Sequence, residues 1–160
     1  MTVEIKPVTQ ADHPWIRALM REHWGSGIVV SRGRVHRPNA LPGFVAVQQE
    51  RRVGLITYHL DGDQCEIVSL DSLAERQGIG TLLIEAVRRA AQAAGCVRLW
   101  LITTNDNVEA LRFYQKRGLT LVQVHRNAVD RVSRRLKPEI PLIGNHGIPI
   151  RDELELEMEL

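Results

Sequence analysis

Apolar and polar residues recur with two periods along this chain, and the periods divide it into elements. Val3 to Val8 alternates and reads as a first strand. Trp15, Ile16, Leu19, Met20 and Trp24 follow at helical spacing, in a helix that starts at Thr9 or Asp12 and stops at Gly25-Ser26-Gly27. Residues 28–42 show no period and read as irregular. Phe44 to Gln48 and Val53 to Leu60 read as two strands joined by the polar turn Gln49–Arg52. After the turn Asp61-Gly62-Asp63, Cys65 to Asp71 reads as a third.

The second half repeats the two periods. Ile79, Leu82, Leu83, Ala86, Val87, Ala90 and Ala94 fall on one helix face, opposite Glu85, Arg88, Arg89 and Gln92, and Gly95 suits the left-handed residue that ends the helix. Val97 to Thr103 is apolar on both faces, the pattern of a strand buried inside a sheet. Asp106, with Glu109 three residues on, predicts a capping box for a helix that stops at Gly118. Leu119 to His125 is a strand, Val129 to Leu136 a short helix, and Lys137 to Ile150, with three prolines and two glycines, an irregular loop. The tail ELELEMEL alternates strictly. It predicts a strand with Leu154, Leu156, Met158 and Leu160 inward and four glutamates on a solvent face that discourages edge pairing, with a homodimer through this strand as the alternative. The order β-α-β-β-β-α-β-α-β-loop-β is a mixed α/β fold around one largely antiparallel sheet.

Bulk properties narrow the function. A chain of 160 residues fits one domain and buries roughly 70% of its extended surface. The net charge of +2 is too small to indicate a nucleic-acid groove. Cys65 and Cys96 fit no metal spacing and read as buried, reduced thiols. The N-terminus lacks an apolar secretory segment, and no apolar run approaches the ~18 residues that span a bilayer. A cytoplasmic protein without metal, membrane or nucleic-acid partner is the expectation.

Candidate chemistry centres on Glu75-Arg76-Gln77-Gly78-Ile79-Gly80-Thr81. This turn follows an apolar strand and opens directly into a helix, aiming free backbone N–H groups and the positive end of the helix dipole at one spot, a seat for phosphate. No Gly-Lys-Ser/Thr follows, and Leu83 stands where a dinucleotide loop needs its third glycine, so the two commonest phosphate loops are excluded. Downstream, Asn107, Ala110, Phe113, Tyr114 and Gly118 keep a fixed spacing, with Leu119 after them.

With these two motifs the chain resembles the GCN5-related N-acetyltransferase superfamily, whose signatures are Gln/Arg-x-x-Gly-x-Gly/Ala and Asn-x-x-Ala-x-x-Phe/Leu-Tyr-x-x-x-Gly-Phe. The resemblance covers residues 2–128 and the last strand; residues 129–152 form an enlarged connection within a single 1–160 domain. It implies a sheet of about seven strands, splayed at the cofactor site and flanked by about four helices. It also implies transfer of an acetyl group from acetyl-CoA directly to a primary amine, on a small molecule or a peptide. Transfer of another short acyl group, or a non-catalytic acyl-CoA sensor, are the alternatives. The cofactor cradle falls on Arg76, Gln77, Gly78, Ile79, Gly80 and Thr81, with Asn107 at the pantetheine arm, the Leu70 N–H facing the thioester oxygen, and Tyr114 as acid for the leaving thiolate. Glu75 departs from the motif, where Gln or Arg is usual. Glu66, read as sharing a strand face with Val68 and Leu70, is the candidate base, with His125, His59 and Asp71 as rivals. Arg32, Arg34, His36 and Arg37 lie where acceptor-binding loops belong. They read either as a selector of carboxylate-bearing amines or as a solvated basic loop.

Overall fold

In the computed structural model, which describes residues 2–74 and 77–160, the chain begins in β1 (Val3–Pro7) and enters α1 (His13–Trp24) through a 3-10 turn, Gln10–Asp12. Asp12 accepts from the Thr9 amide at 2.8 Å, and Gly25, at φ 77°, ends α1. Segment 28–42 is not irregular. It holds a small antiparallel hairpin, β2 (Val29–Ser31) and β3 (Arg34–His36), turned by Arg32 and Gly33, both at positive φ. Strands of three residues are too short to display a period, so the pattern conceals them.

A meander follows in β4 (Gly43–Gln48), β5 (Arg51–Asp61) and β6 (Gln64–Ser72). The β4–β5 turn is tighter than the sequence suggests: Gln49 and Glu50 alone make it, with φ of 49° and 62°. Two positive φ values in succession match the right-handed twist of a hairpin. The rest is α2 (Ile79–Ala93), β7 (Arg98–Thr104), α3 (Val108–Lys116), β8 (Thr120–His125), a π-helical turn at Val129–Ser133, α4 (Arg134–Leu136) and β9 (Glu153–Glu159).

Seven strands form one sheet in the order β1-β4-β5-β6-β7-β9-β8, and every neighbouring pair is antiparallel except β6–β7. The expected mixed architecture is therefore present. β9 lies between β7 and β8, so its glutamates do not protect an edge: Glu153 is bound by Arg32 and Ser133, and Glu155 by Arg98 and His125. The edge strands are β1 and β8.

The sheet carries a core on each face. Ile56, Ile67, Leu83, Val87, Leu99 and Leu101 pack beneath α2 and α3, while Ile16, Leu19, Met20, Val45, Leu55 and Val68 pack beneath α1. α2 buries Ile79, Leu83, Ile84, Val87 and Ala91, a face rotated from the predicted one that leaves Leu82 43% exposed. Close approach sets the rotation: a Cβ on Gly54 would stand 2.7 Å from Ile79, and one on Gly80 2.7 Å from Phe113. β7 alternates buried and half-buried positions, because Trp100 and Ile102 border cavities rather than a packed helix. Cys65 and Cys96 are buried free thiols, and among the described residues no helix is long and apolar enough to cross a membrane.

Candidate active site

β6 and β7 pair only from Gln64↔Arg98 to Ile67↔Leu101, after which the two strands part. A bulge at Val68 accompanies the parting: β5 pairs Tyr58 with Ile67 and then Thr57 with Ser69. One extra residue reverses the alternation of every side chain beyond it. Val68 stays on the α1 side with Glu66, but Leu70 joins the α2 side, and Asp71 turns back to α1 to accept from His23 and Trp24. The expectation that Glu66, Val68 and Leu70 share a face therefore fails at Leu70, and a pure period of two could not have shown it.

On the α2 side a cavity of about 400 Å³ is bordered by Leu70, Gly78, Ile79, Gly80, Thr81 and Tyr114, six of the predicted cofactor residues. Gly78, at φ 70°, stands in the left-handed region immediately before α2, a conformation that glycine adopts without strain. The amides of Ile79, Gly80 and Thr81 belong to the first helical turn and have no intrahelical carbonyl to bond, and among the described residues that turn holds no acidic side chain. Gly80 is required because Phe113 occupies the place of its Cβ. The Gln77 side chain is taken by Gln48, 2.6 Å away, and does not border the cavity. Arg76 and Glu75 lie outside the described residues.

α3 supplies a cation that sequence reasoning missed. Arg117 donates to Thr81 Oγ1 at 3.0 Å, and its guanidinium lies 3.9 Å from the Phe113 ring centroid. Its signal was available: Phe113 and Arg117 are four apart, hence neighbours on a helix surface. Asn107 caps α3 by accepting from the Ala110 amide at 3.3 Å, so the cap falls one residue later than predicted. Asp106 instead accepts from Thr104 Oγ1 and the Asn145 amide, anchoring the long loop. Glu109 bonds His146.

Tyr114 is half-buried and borders both the large cavity and a second one of about 130 Å³ inside the splay, where Asn107, Trp24 and Leu70 also stand. Burial, with the Asp71 carboxylate second, pushes its phenol well above the usual 10. Asp71 is itself raised by burial, against hydrogen bonds from Trp24 and His23.

Glu66 is buried on the α1 side. Ser31 donates to its Oε2 at 2.6 Å, and His36 Nε2, a buried nitrogen with no hydrogen bond among the described residues, stands 3.4 Å from its Oε1. The Glu66 side chain separates an inner cavity of about 130 Å³ from an outer one of about 140 Å³. Of the rival bases, His59 borders the outer cavity, while His125 is bonded to Glu155 on the far strands and borders neither. The basic cluster divides: His36 is buried at Glu66, Arg32 and Arg34 border the outer cavity, and Arg37 is exposed elsewhere. Ser31, Trp24 and Glu153 join the site unpredicted, since only the hairpin, the packing of the α1 C-terminus on the sheet and the strand order bring them there.

The sequence model of the acetyltransferase (GNAT) family matches residues 4–119. The chain belongs to this family. GNAT members are acetyl-CoA-dependent acetyltransferases, which makes this chain an acyltransferase by descent. Among its relatives, the Bacillus subtilis (strain 168) protein YxbD, described as uncharacterized, is 43% identical over 99% of each chain. The IAA acetyltransferase from Bacillus cereus ATCC 14579 superposes with a TM-score of 0.77 at 22% identity, covering 99% of this chain and 100% of that one. A GNAT family acetyltransferase from Elizabethkingia anophelis with acetyl-CoA bound superposes with a TM-score of 0.70 at 20% identity, covering 99% and 98%. The solved structures establish the shared GNAT fold.

Proposed function

We propose that residues 1–160 act as one N-acetyltransferase domain that moves an acetyl group from acetyl-CoA directly to a primary amine. The observation that carries this reading is the adjacency of the cavities. The glycine cradle and the splay share Tyr114 as a wall, and the splay shares Trp24, Val68 and Asn107 with the cavity that the buried carboxylate of Glu66 borders. A relative of the same fold holds acetyl-CoA.

The residues present suit that co-substrate. The first-turn amides of Ile79, Gly80 and Thr81 offer donors to a pyrophosphate, and Arg117 adds a positive charge beside them. Asn107 stands at the splay, where the pantetheine arm would run. The Leu70 N–H, beyond the bulge, is the donor for the thioester oxygen as negative charge develops there.

Glu66 takes a proton from the acceptor's ammonium, and the neutral amine attacks the thioester carbon. The C–N bond forms, the C–S bond breaks, the sulfur leaves with the electron pair, and the second proton shed by the nitrogen ends on that sulfur to give the free thiol. Tyr114 donates a hydrogen bond to that sulfur. A phenol above 10 facing a thiol near ~8.5 is too weak an acid to surrender its proton fully, so stabilisation of the thiolate is the larger part of its role.

Calorimetry with acetyl-CoA tests the cradle, and release of free thiol over a panel of amines tests turnover. Binding without release for any amine would favour a sensor. Absence of binding at high micromolar acetyl-CoA would sink the reading.

A further inference from the structure

Four cavities follow one another, each sharing wall residues with the next. The large cavity shares Leu70, Ala110 and Tyr114 with the splay cavity, the splay cavity shares Trp24, Val68 and Asn107 with the inner one, and the inner one shares Ser31 and Glu66 with the outer one. The succession runs from the cavity beside α2 and α3 to the one beside the β2–β3 hairpin, the end of β5 and the start of β6.

Charge is distributed unevenly along its acceptor half. The inner cavity holds two buried carboxylates, Glu66 at 5% and Glu153 at 2% exposure. The outer cavity is bordered by two arginines, Arg32 and Arg34, with side chains 41% and 53% exposed, and by the carboxylates of Asp61 at its rim and Glu66 at its inner wall. Each guanidinium has N–H groups to spare. Arg32 spends Nη1 on Glu153 at 3.2 Å, and Arg34 spends Nη1 on His59 Nε2 at 2.7 Å. The acid facing Arg34 is Asp61, 3.8 Å away and 74% exposed, and water screens such a pair. Arg32 also holds φ 49°, a left-handed conformation that costs a side-chain-bearing residue energy and that the hairpin maintains.

We propose that the acceptor is a slender primary amine carrying a carboxylate, with its ammonium at Glu66 and its carboxylate at Arg32 and Arg34. This rests on the transferase reading above and names the substrate class of the same site. The outer and inner cavities, about 140 Å³ and about 130 Å³, each admit an unbranched chain and are small for fused or stacked rings. Glu66 and Glu153 favour an ammonium at the inner end. A planar guanidinium pair is suited to bidentate capture of a carboxylate at the outer end. A diamine of the same length would place its second ammonium against two guanidiniums, which selects against it.

The test is a set of matched amines: aminocarboxylic acids, the same chains without the carboxylate, and diamines. Each is assayed by thiol release with the full-length protein and acetyl-CoA. We expect the carboxylate-bearing member to exceed its decarboxylated twin in kcat/KM by about tenfold or more, a modest factor because the mouth is half-exposed. Arg34→Glu should reverse that ranking towards the diamine while acetyl-CoA affinity by calorimetry stays within about twofold of wild type. A wild-type preference for the diamine or the decarboxylated twin overturns the proposal, as does an unchanged ranking in Arg34→Glu or in Arg34→Ala. Turnover of no amine, with acetyl-CoA still bound, overturns the acceptor assignment and leaves the cofactor site standing. Loss of acetyl-CoA binding in the wild type removes the transferase reading beneath it.

Discussion

Ser31 donates a 2.6 Å hydrogen bond to Glu66 across 35 residues of sequence. The bond joins a three-residue strand to the strand that carries the bulge. It holds the one buried carboxylate that separates the inner and outer cavities. A hydrogen bond to a charged group contributes about 1.5–3 kcal/mol, so the hairpin sets where that carboxylate points. Glu66→Gln keeps the shape and removes the base. It should lower kcat/KM by about 10²-fold or more with acetyl-CoA affinity preserved. Ser31→Ala should cost about tenfold through misplacement, as measured by the same thiol-release assay.

Tyr114→Phe tests the sulfur end. Loss of one preorganised donor should reduce kcat by about 10²-fold while the calorimetric affinity for acetyl-CoA changes by less than about threefold. Because burial holds the phenol protonated well past neutrality, the wild-type rate should show no loss attributable to Tyr114 ionisation between pH 7 and roughly 9. An unchanged rate in Tyr114→Phe would remove the residue from the chemistry.

Gly80→Ala should damage the cradle specifically. The new Cβ would meet Phe113 Cζ at 2.7 Å, and the ring that must yield also carries the Arg117 guanidinium. We expect acetyl-CoA to bind about tenfold or more weakly, at a stability cost of about 1–3 kcal/mol for overpacking. Isothermal titration and urea denaturation measure the two effects separately.

Glu155 gives the fold a pH-dependent element. Burial pushes its carboxyl up, but hydrogen bonds from His125 and Arg98, and their charges, outweigh it and hold the group below the usual carboxylate range. A folded-state pKa below the unfolded value near ~4.3 contributes stability above that pH, and the contribution is lost as pH falls through the folded value. Arg98→Ala should therefore cost about 1–3 kcal/mol at pH 7. The difference from wild type should shrink below about pH 4. Denaturant midpoints at the two pH values decide it.

Lys137 fastens the long connection. Its buried Nζ donates to the carbonyls of Trp24, at 2.6 Å, and Ile28, at 2.8 Å. Lys137→Met strands both acceptors and should cost about 2–4 kcal/mol. Since Ile140 borders the inner cavity, acceptor KM should rise while acetyl-CoA affinity holds, and hydrogen exchange should quicken in residues 137–150.

The cofactor half of the site was legible because it is local. Gly78, Gly80 and Thr81 are consecutive with the helix they start, and Asn107, Ala110, Phe113 and Tyr114 occupy successive turns of another, so spacing alone fixes their geometry. Arg117 belonged to the same pattern and was overlooked. The acceptor half was not legible. Ser31, His36 and Arg32 reach Glu66 and Glu153 only through the small hairpin, and Glu153 only because β9 inserts between β7 and β8.

Sequence by itself determined the succession of the seven sheet strands and the three longer helices, the glycine turn and the α3 motif, since each depends on backbone preferences and periodicity within about twenty residues. Tertiary structure alone decided the bulge at Val68, the parting of β6 from β7 and the interior place of β9. Those follow from which strands compete for the same hydrogen-bonding edge, and no single stretch of chain contains that information.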